Sequence, residues 1–188
     1  MILMIDHYDS FVHSLARYIR HCGHTLQTVR CDALSVDEAL ARQPEAIILS
    51  PGPGHPRQSG LSSDLVRHAS VPILGVCLGH QVIAHSFGGR IERHHPCHGQ
   101  ACDIHHAGDV LFSELPSPFS AARYHSLIAD DLPSCLDAIA WDDDGTIMAL
   151  RHRDKPIYGL QFHPESVLTL HGQKIIDNFL SQNIGKPS

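Results

Sequence analysis

A cysteine between two glycines and a distant His-Pro-Glu triplet are the residues of this sequence best suited to chemistry. Cys77 directly follows the apolar run 71–76 and precedes a helical pattern at 81–87, which together predict a strand, a sharp turn and a helix. Such a turn exposes the thiol at a helix N-terminus, where the helix dipole favours the thiolate. With His163 as a base and Glu165 to orient its imidazole, this set predicts nucleophilic catalysis.

Each of these residues alone has an ordinary structural interpretation. A lone cysteine after an apolar strand is more often a buried core residue, and His163 and Glu165 could lie in a surface turn. Gly75 and Gly79, on either side of Cys77, permit a tight turn without a Cβ clash. The glycines, the following helix and the distant triplet together favour the nucleophile.

The elements that must position these side chains follow from the hydrophobic pattern. In the first half, strand patterns alternate with helical ones, and Asp9 or Ser10 is predicted to cap the first helix. In the second half, short strand patterns follow one another before a final helix. The predicted strands lie at 2–5, 25–30, 46–50, 71–76, 90–94, 101–105, 119–123, 137–141, 146–151 and 157–162. This order predicts an α/β fold with a doubly wound, mainly parallel sheet and antiparallel additions.

The candidate residues follow the ends of three different strands. Segment 51–54, with its alternating prolines and glycines, follows one strand, Cys77 a second and His163 a third. Ligands bind at the carboxyl ends of the strands in sheets of this kind. The sequence therefore predicts that the three segments meet at one edge of the sheet.

Length and composition predict one domain spanning residues 1–188. No apolar run approaches the about 20 residues of a membrane span, and the N-terminus lacks the basic region of a signal peptide, so we expect a cytoplasmic protein with no membrane partner. Its six scattered cysteines form no CxxC pair, which predicts free thiols in a reducing compartment. The formal net charge of -6 argues against a nucleic-acid partner.

Several motifs resemble those of a known family. Segments 50–54, 75–81 and 161–166 resemble the motifs of class I glutamine amidotransferases, and the similarity extends over essentially the whole chain. Segments 7–11, 123–127 and 148–152 resemble, more narrowly, the glutaminase subunits of anthranilate synthase and aminodeoxychorismate synthase. The resemblance implies a flavodoxin-like amidotransferase fold, L-glutamine as substrate and no cofactor. It also implies a chorismate-using synthase subunit (component I), expected to be a separate protein, as partner.

The resemblance assigns a role to each candidate residue. Cys77 would attack the side-chain carbonyl of glutamine to form a thioester, His163 would pass the thiol proton to the departing ammonia, and Glu165 would hold the imidazole. Two backbone N–H groups would stabilise the oxyanion, that of Leu78 by the geometry of the turn and that of Gly54 by resemblance. The other residues expected to bind glutamine are Gly52, Pro53, Gln81, Ser126 and Leu127.

Two other functions stay open at this point. The chain could be a different hydrolase with a cysteine at the same kind of turn, such as an intracellular peptidase. It could also be a catalytically silent subunit that stabilises a synthase, although an intact triad disfavours this. Glutamine hydrolysis, measured with and without a synthase, separates the three.

The sequence departs from the family pattern outside the predicted triad. His7 stands where the family usually has asparagine, Gln100 where lysine is common and Cys102 where serine or threonine is frequent. These departures bear on the loops near the site and on their contact with a partner. The His- and Cys-rich segment 94–106 invites a zinc interpretation, but its spacing fits no recurring zinc pattern, so we expect no metal.

Overall fold

The structure of the chain is a computed structural model that describes residues 1–97 and 99–185. Its strands are β1 (Ile2–Asp6), β2 (Leu26–Arg30), β3 (Ala46–Leu49), β4 (Ile73–Val76), β5 (Arg90–Arg93), β6 (Gln100–His106), β7 (Phe119–Arg123), β8 (Leu127–Asp131), β9 (Leu136–Trp141), β10 (Ile147–His152) and β11 (Ile157–Leu160). Its α-helices are α1 (Val12–His21), α2 (Val36–Ala41), α3 (Ser62–His68), α4 (Leu78–Ser86) and α5 (Gly172–Asn183).

Nine strands form the main sheet, in the order β2-β1-β3-β4-β11-β10-β9-β6-β7. The strands from β2 to β11 in this order are parallel, and the pairings from β11 to β7 are antiparallel. Strands β1 to β4 of the parallel part come from the alternating first half of the sequence. The later strands add the antiparallel part, and β11, the last of them, joins the two by pairing parallel with β4 and antiparallel with β10. The predicted fold class is therefore confirmed.

The sheet separates two hydrophobic cores, because successive side chains of a strand point to opposite faces. Ile2 and Met4 of β1 pack in one core with residues of α1 and α5, such as Leu15 and Phe179. Leu3 and Ile5 pack in the other core, with residues of α3 and α4. Helices thus cover both faces, which is why the fully buried strands β3 and β4 read as continuous apolar runs, unlike the edge strand β2.

Two local predictions at helix N-termini have different outcomes. A serine followed three residues later by a glutamate predicts a capping box at 35–38, and helix α2 begins with it, since Ser35 and Glu38 exchange hydrogen bonds. The predicted cap of α1 by Asp9 or Ser10 is wrong, since the residue before the helix is Phe11 and no side chain caps it. Asp9 instead accepts a hydrogen bond from the Phe11 N–H, which closes the turn before the helix.

The sequence patterns do not predict strand β8. It pairs antiparallel with β5 in a separate two-stranded sheet beside the main one. Within the described residues, no helix combines the length and the apolar character that crossing a membrane requires.

Gly79→Ala is expected to destabilise the fold because a Cβ at this position would lie 2.5 Å from the Leu49 carbonyl oxygen and 2.8 Å from its Cβ. An alanine in a helix normally stabilises it by about 1 kcal/mol relative to glycine. Here we expect a loss of about 1–3 kcal/mol, as for overpacking of a core. The free energy of unfolding, from urea denaturation, measures it. His85→Ala, on the same helix, is the control, and a stabilised Gly79→Ala protein would contradict the close packing of α4 on β3.

Candidate active site

Cys77 occupies a strained turn between β4 and α4. Its backbone has φ 51° and ψ -98°, a region that residues other than glycine rarely adopt. Its N–H donates to the Leu160 carbonyl of β11 at 2.7 Å, and α4 begins at the next residue. The thiol therefore lies at the N-terminus of a helix, held by the neighbouring strand. This is the strand–turn–helix that the sequence predicts.

The two glycines beside Cys77 bring the strand and the helix into direct contact. A Cβ on Gly75 would lie 2.4 Å from the backbone carbonyl atoms of Gly79 and 2.7 Å from Ile83 Cδ1. A Cβ on Gly79 would in turn meet β3. Glycine is needed at both positions because a side chain would prevent the close contact of α4 with β4 and β3. This packing fixes the direction of the thiol.

His163 and Glu165 form a buried pair. The His163 Nδ1 lies 2.7 Å from Glu165 Oε1, and both side chains are almost completely enclosed. Because a carboxylate oxygen accepts, Nδ1 donates its hydrogen, and Nε2 is left as the ring nitrogen that can take up or release a proton. The His163 backbone is fixed as well, since its N–H donates to Ala122 O at 3.0 Å and its carbonyl accepts from Thr169 Oγ1 at 2.7 Å.

The electrostatics of the pair favour a protonated imidazole. Burial acts to lower the pKa of His163, but hydrogen bonding and charge at Cys77 and Glu165 more than offset it and raise this pKa. Glu165 occupies Nδ1, and the buried Nε2 has no hydrogen-bond partner among the described residues, which leaves it as the nitrogen available to Cys77. The site can therefore hold an imidazolium next to the thiol, ready to protonate a leaving group.

Two aromatic rings enclose His163. The ring centroids of Phe11 and Tyr124 lie 5.1 Å and 5.0 Å from that of the imidazole, both in edge-to-face arrangements. Phe11 and Tyr124 also contact each other, with centroids 5.0 Å apart. In the sequence, Phe11 is only the last residue of the motif 7–11 and has no assigned role. The structure gives it and Tyr124 a further place as walls of the site.

A cavity of about 140 Å³ opens beside Cys77. Most residues expected to bind glutamine line it. Leu78 is not among the lining residues, but it is buried next to Cys77, and its N–H belongs to the first turn of α4, whose amides have no partner within the helix. The lining residues are Gly52, Pro53, Gly54, Cys77, Gln81, Tyr124, His125, Ser126 and Leu127.

The side chains of Gln81 and Gln161 connect Leu127, which lines the cavity, to the Cys77 thiol. The Nε2 of Gln81 donates to the Leu127 carbonyl at 2.9 Å and to Gln161 Oε1 at 3.2 Å. The Nε2 of Gln161 in turn lies 3.8 Å from Cys77 Sγ. Gln161 belongs to a motif that the sequence singles out, but it carries no predicted role. Its position before His163 at the end of β11 is the signal that could have identified it.

A network of buried polar side chains supports the backbone at Leu127. Arg123 Nη1 donates to Asp142 Oδ2 at 2.6 Å, and its Nε donates to His125 Nε2 at 3.1 Å. Since Nε2 accepts, Nδ1 carries the hydrogen and donates to Leu127 O at 3.0 Å. Burial first, and then the Arg123 charge, lower the pKa of His125 to about 3, so the ring is neutral near pH 7. No local pattern of the sequence predicts this network of hydrogen bonds.

The departures from the family pattern lie near the site without entering the triad. Gln100 is the first residue of β6 and pairs with Arg123 of β7. Cys102 is half-buried on the same strand, and burial raises the pKa of its thiol to about 11, so it is a poor nucleophile. His7 lies under the loop at Gly52.

Over residues 1–97 and 99–185, no group of three or more His, Cys, Asp or Glu side chains could hold a metal ion. His98, part of the segment that invites a zinc interpretation, lies outside the described residues. The absence of a metal stays a prediction.

Comparison with known proteins places this geometry in a family. Residues 3–183 match the sequence profile of the class-I glutamine amidotransferases. Anthranilate synthase component 2 of Azospirillum brasilense is 48% identical over 187 residues, which cover 96% of this chain and 95% of that protein. Aminodeoxychorismate/anthranilate synthase component 2 of Bacillus subtilis is 45% identical over 185 residues, with the same two coverages.

The structural comparison agrees with the sequence comparison. The crystal structure of a proposed GMP synthase subunit from Thermoplasma acidophilum superposes with a TM-score of 0.87 at 25% identity. The match covers 96% of this chain and 92% of that one. Its extent, together with the sequence profile and the cysteine at the turn, shows that this chain belongs to the class-I glutamine amidotransferase family.

Proposed function

We propose that this chain is the glutaminase subunit of a chorismate-using synthase. It hydrolyses L-glutamine to glutamate and ammonia and delivers the ammonia to component I, which aminates chorismate. The observation that carries the chemistry is the buried His163–Glu165 pair, whose free imidazole nitrogen acts on Cys77 beside the cavity. The names of the relatives support the choice of partner.

The proposed reaction begins with attack of the Cys77 thiolate on the side-chain carbonyl carbon of glutamine. The backbone N–H groups of Leu78 and Gly54 stabilise the oxyanion, and collapse of the tetrahedral intermediate breaks the C–N bond. The His163 imidazolium protonates the departing nitrogen, which leaves as ammonia. Water, deprotonated by the now neutral His163, then hydrolyses the thioester to glutamate and regenerates the thiol.

The cavity supports a place for the amino-acid end of glutamine. Gln81, Ser126 and Leu127 line the same cavity as the Gly52-Pro53-Gly54 loop and Cys77, so a substrate bound there can present its amide end to the thiol. Gln81 and the backbone of Ser126 and Leu127 would bind the amino and carboxylate groups. The hydrogen bonds from Gln81 and His125 to Leu127 O hold this backbone in place.

The organisation of the chain belongs to the same proposal. We infer one amidotransferase domain over 1–188, because the family profile covers 3–183. The cytoplasmic location likewise stays a prediction.

Reconstitution with each type of synthase subunit tests the proposed function. The chain is mixed with component I of anthranilate synthase or of aminodeoxychorismate synthase, and glutamine and chorismate are added. Fluorescent anthranilate, or 4-amino-4-deoxychorismate detected by chromatography, identifies the branch, and formation of both shows that one chain serves both synthases. Product with ammonia but none with glutamine, for both synthases, would refute the proposal.

Glu165→Gln is expected to lower kcat/KM less than His163→Ala and to move the alkaline limb of its pH profile to lower pH. The carboxamide oxygen of the substituted side chain can still accept from His163 Nδ1, so the imidazole keeps its orientation. The negative charge that helps raise the pKa of His163 is lost, however. The imidazolium therefore loses its proton at a lower pH, and with it the proton needed by the leaving ammonia.

The pH dependence of kcat/KM for glutamine, measured in the complex, checks this shift. Glu114→Gln, an exposed glutamate distant from the site in sequence, is the control. An alkaline limb that stays in place in Glu165→Gln would show that the Glu165 charge does not set the pKa of His163.

A further inference from the structure

The side chain of His7 joins both ends of the loop that carries the candidate oxyanion donor. This loop runs from Ser50, the first residue after β3, to Ser62, the first residue of α3. His7 Nδ1 lies 3.0 Å from Ser50 O, and Nε2 lies 2.8 Å from Ser62 Oγ. The His7 N–H also donates to Ser50 Oγ at 2.9 Å. One side chain, 4% exposed, thus connects the entry and the exit of the loop.

The hydrogen bonds define the form of the imidazole. Ser50 O can only accept, so Nδ1 carries the hydrogen, and Nε2 then accepts from the Ser62 hydroxyl. Burial lowers the pKa of His7, which favours this neutral form. Nδ1 also lies 3.3 Å from Ser50 Oγ, so both of its partners belong to Ser50, whereas the partner of Nε2 is Ser62.

The loop rests directly on this residue. A Cβ on Gly52 would lie 2.4 Å from His7 Cβ, 2.9 Å from His7 O and 2.8 Å from Leu78 Cδ2. Gly52 is thus sandwiched between His7 and the first residue of α4, next to Cys77. A displacement of His7 would move the loop backbone relative to the thiol.

We propose that His7 is a positioning residue that fixes the glycine-rich loop against the Cys77 turn. This inference rests on the proposed function, since the loop matters to catalysis only as a source of an oxyanion donor. His7 acts through the loop and need not touch the substrate. Its effect is therefore expected in kcat, where oxyanion stabilisation is felt, more than in the KM for glutamine.

Histidine differs from the asparagine usual at this position in what it can reach. The polar atoms of asparagine are two bonds from Cβ, as is Nδ1 of histidine, whereas Nε2 is three bonds away. Asparagine can therefore keep the contact with Ser50 but not the one with Ser62. In His7→Ala both contacts are lost, and in Ser62→Ala only the second.

The test combines kinetics with hydrogen exchange in the complete complex. We expect His7→Ala to lower kcat for glutamine about tenfold or more, with KM changed less than about threefold and ammonia-dependent synthesis unchanged. His7→Asn should restore kcat to within about threefold of the original protein. Amide exchange in peptides covering 51–61 should be faster in His7→Ala than in the original protein, and slower in His7→Asn than in His7→Ala. His13→Ala, on the exposed side of α1, is the control.

Hydrogen exchange separates failure of this inference from failure of the proposed function. If the original complex uses no glutamine, the proposed function fails, and exchange in 51–61 still shows whether His7 holds the loop. Unchanged exchange and kcat in His7→Ala would overturn the inference. Equal losses in His7→Ala and His7→Asn, together with a loss of ammonia-dependent synthesis, would also overturn it, because they indicate general destabilisation. If His7→Ala fails to fold, hydrogen exchange is compared in His7→Asn and Ser62→Ala. Unchanged exchange in 51–61 in both variants would overturn the inference, and a rise would support it.

Discussion

Cys77→Ala or Cys77→Ser is expected to abolish glutamine-dependent product formation, by about a thousandfold or more, while ammonia-dependent synthesis by the complex continues. The thiolate is the only group at the turn that can form the thioester, and a serine hydroxyl at the same position is far less acidic. In the proposed function, the synthase subunit uses ammonia without involving this chain's thiol. Supplying ammonium salt in place of glutamine should therefore restore product to the level of the original complex.

Product formation with each nitrogen source, followed at fixed chorismate concentration, measures the effect. Cys135→Ala is the matched control, because this cysteine is a free, half-buried thiol next to β9 that does not line the cavity. Loss of both activities in an intact complex would show that Cys77 does not act as a glutaminase nucleophile. Retention of glutamine-dependent activity in Cys77→Ala would show the same more directly.

The turn at Cys77 could be predicted from the sequence because its determinants are local. An apolar strand, a cysteine with a glycine two positions away on either side and a helical segment follow one another within residues 71–87, and each constrains the next. The close contact of Gly75 with Gly79 shows why both glycines are needed. The meeting of this turn with segment 51–54 at one edge follows from the topology of parallel sheets.

The support behind the cavity could not be predicted, because it is built from distant residues. Arg123 and Asp142 are 19 residues apart, and their ion pair is buried only after β7, β6 and β9 are in register. Buried ion pairs leave no periodic pattern in a sequence. Read locally, Arg123 and His125 look like ordinary polar residues at the end of a strand.

Strand β8 escaped prediction for a related reason. Its five residues, Leu127–Asp131, end in two aspartates and have only one buried side chain, so neither alternation nor a continuous apolar run marks it. Its strand character comes from pairing with β5. Strand propensity depends on such context more than helix propensity does. Leu127 is the residue of this strand that lines the cavity, and its carbonyl accepts from both Gln81 and His125.

The isolated subunit is expected to hydrolyse glutamine slowly and to speed up at least about tenfold, mainly in kcat, when the synthase subunit binds. The cysteine turn is held by β4, α4 and β11, so it is an unsuitable place for regulation. The glycine-rich loop is different. Its Gly52 is confined by His7 and Leu78, whereas a Cβ at Gly54 would meet only Gln58 Oε1, at 3.4 Å.

Gly54 is therefore the part of the loop with room to rotate. It has φ 86°, a conformation that glycine adopts easily and leaves easily. A rotation of the peptide before it would turn its N–H toward or away from the oxyanion, and losing one such donor costs about 100–1000-fold in rate. A synthase that binds one loop conformation more tightly would shift the population toward it. Chorismate should raise the rate further if its binding and the docking of the two proteins are coupled.

Glutamate production, measured for the isolated glutaminase chain, with synthase, and with synthase and chorismate, tests this mechanism. Synthase alone gives the background rate. The change should appear in kcat because the loop acts on the oxyanion, which exists only after glutamine is bound and attacked. A change confined to KM would instead indicate that docking completes the glutamine-binding wall at Gln81 and Leu127. Equal kcat values with and without synthase would exclude control through the loop and favour an independent hydrolase.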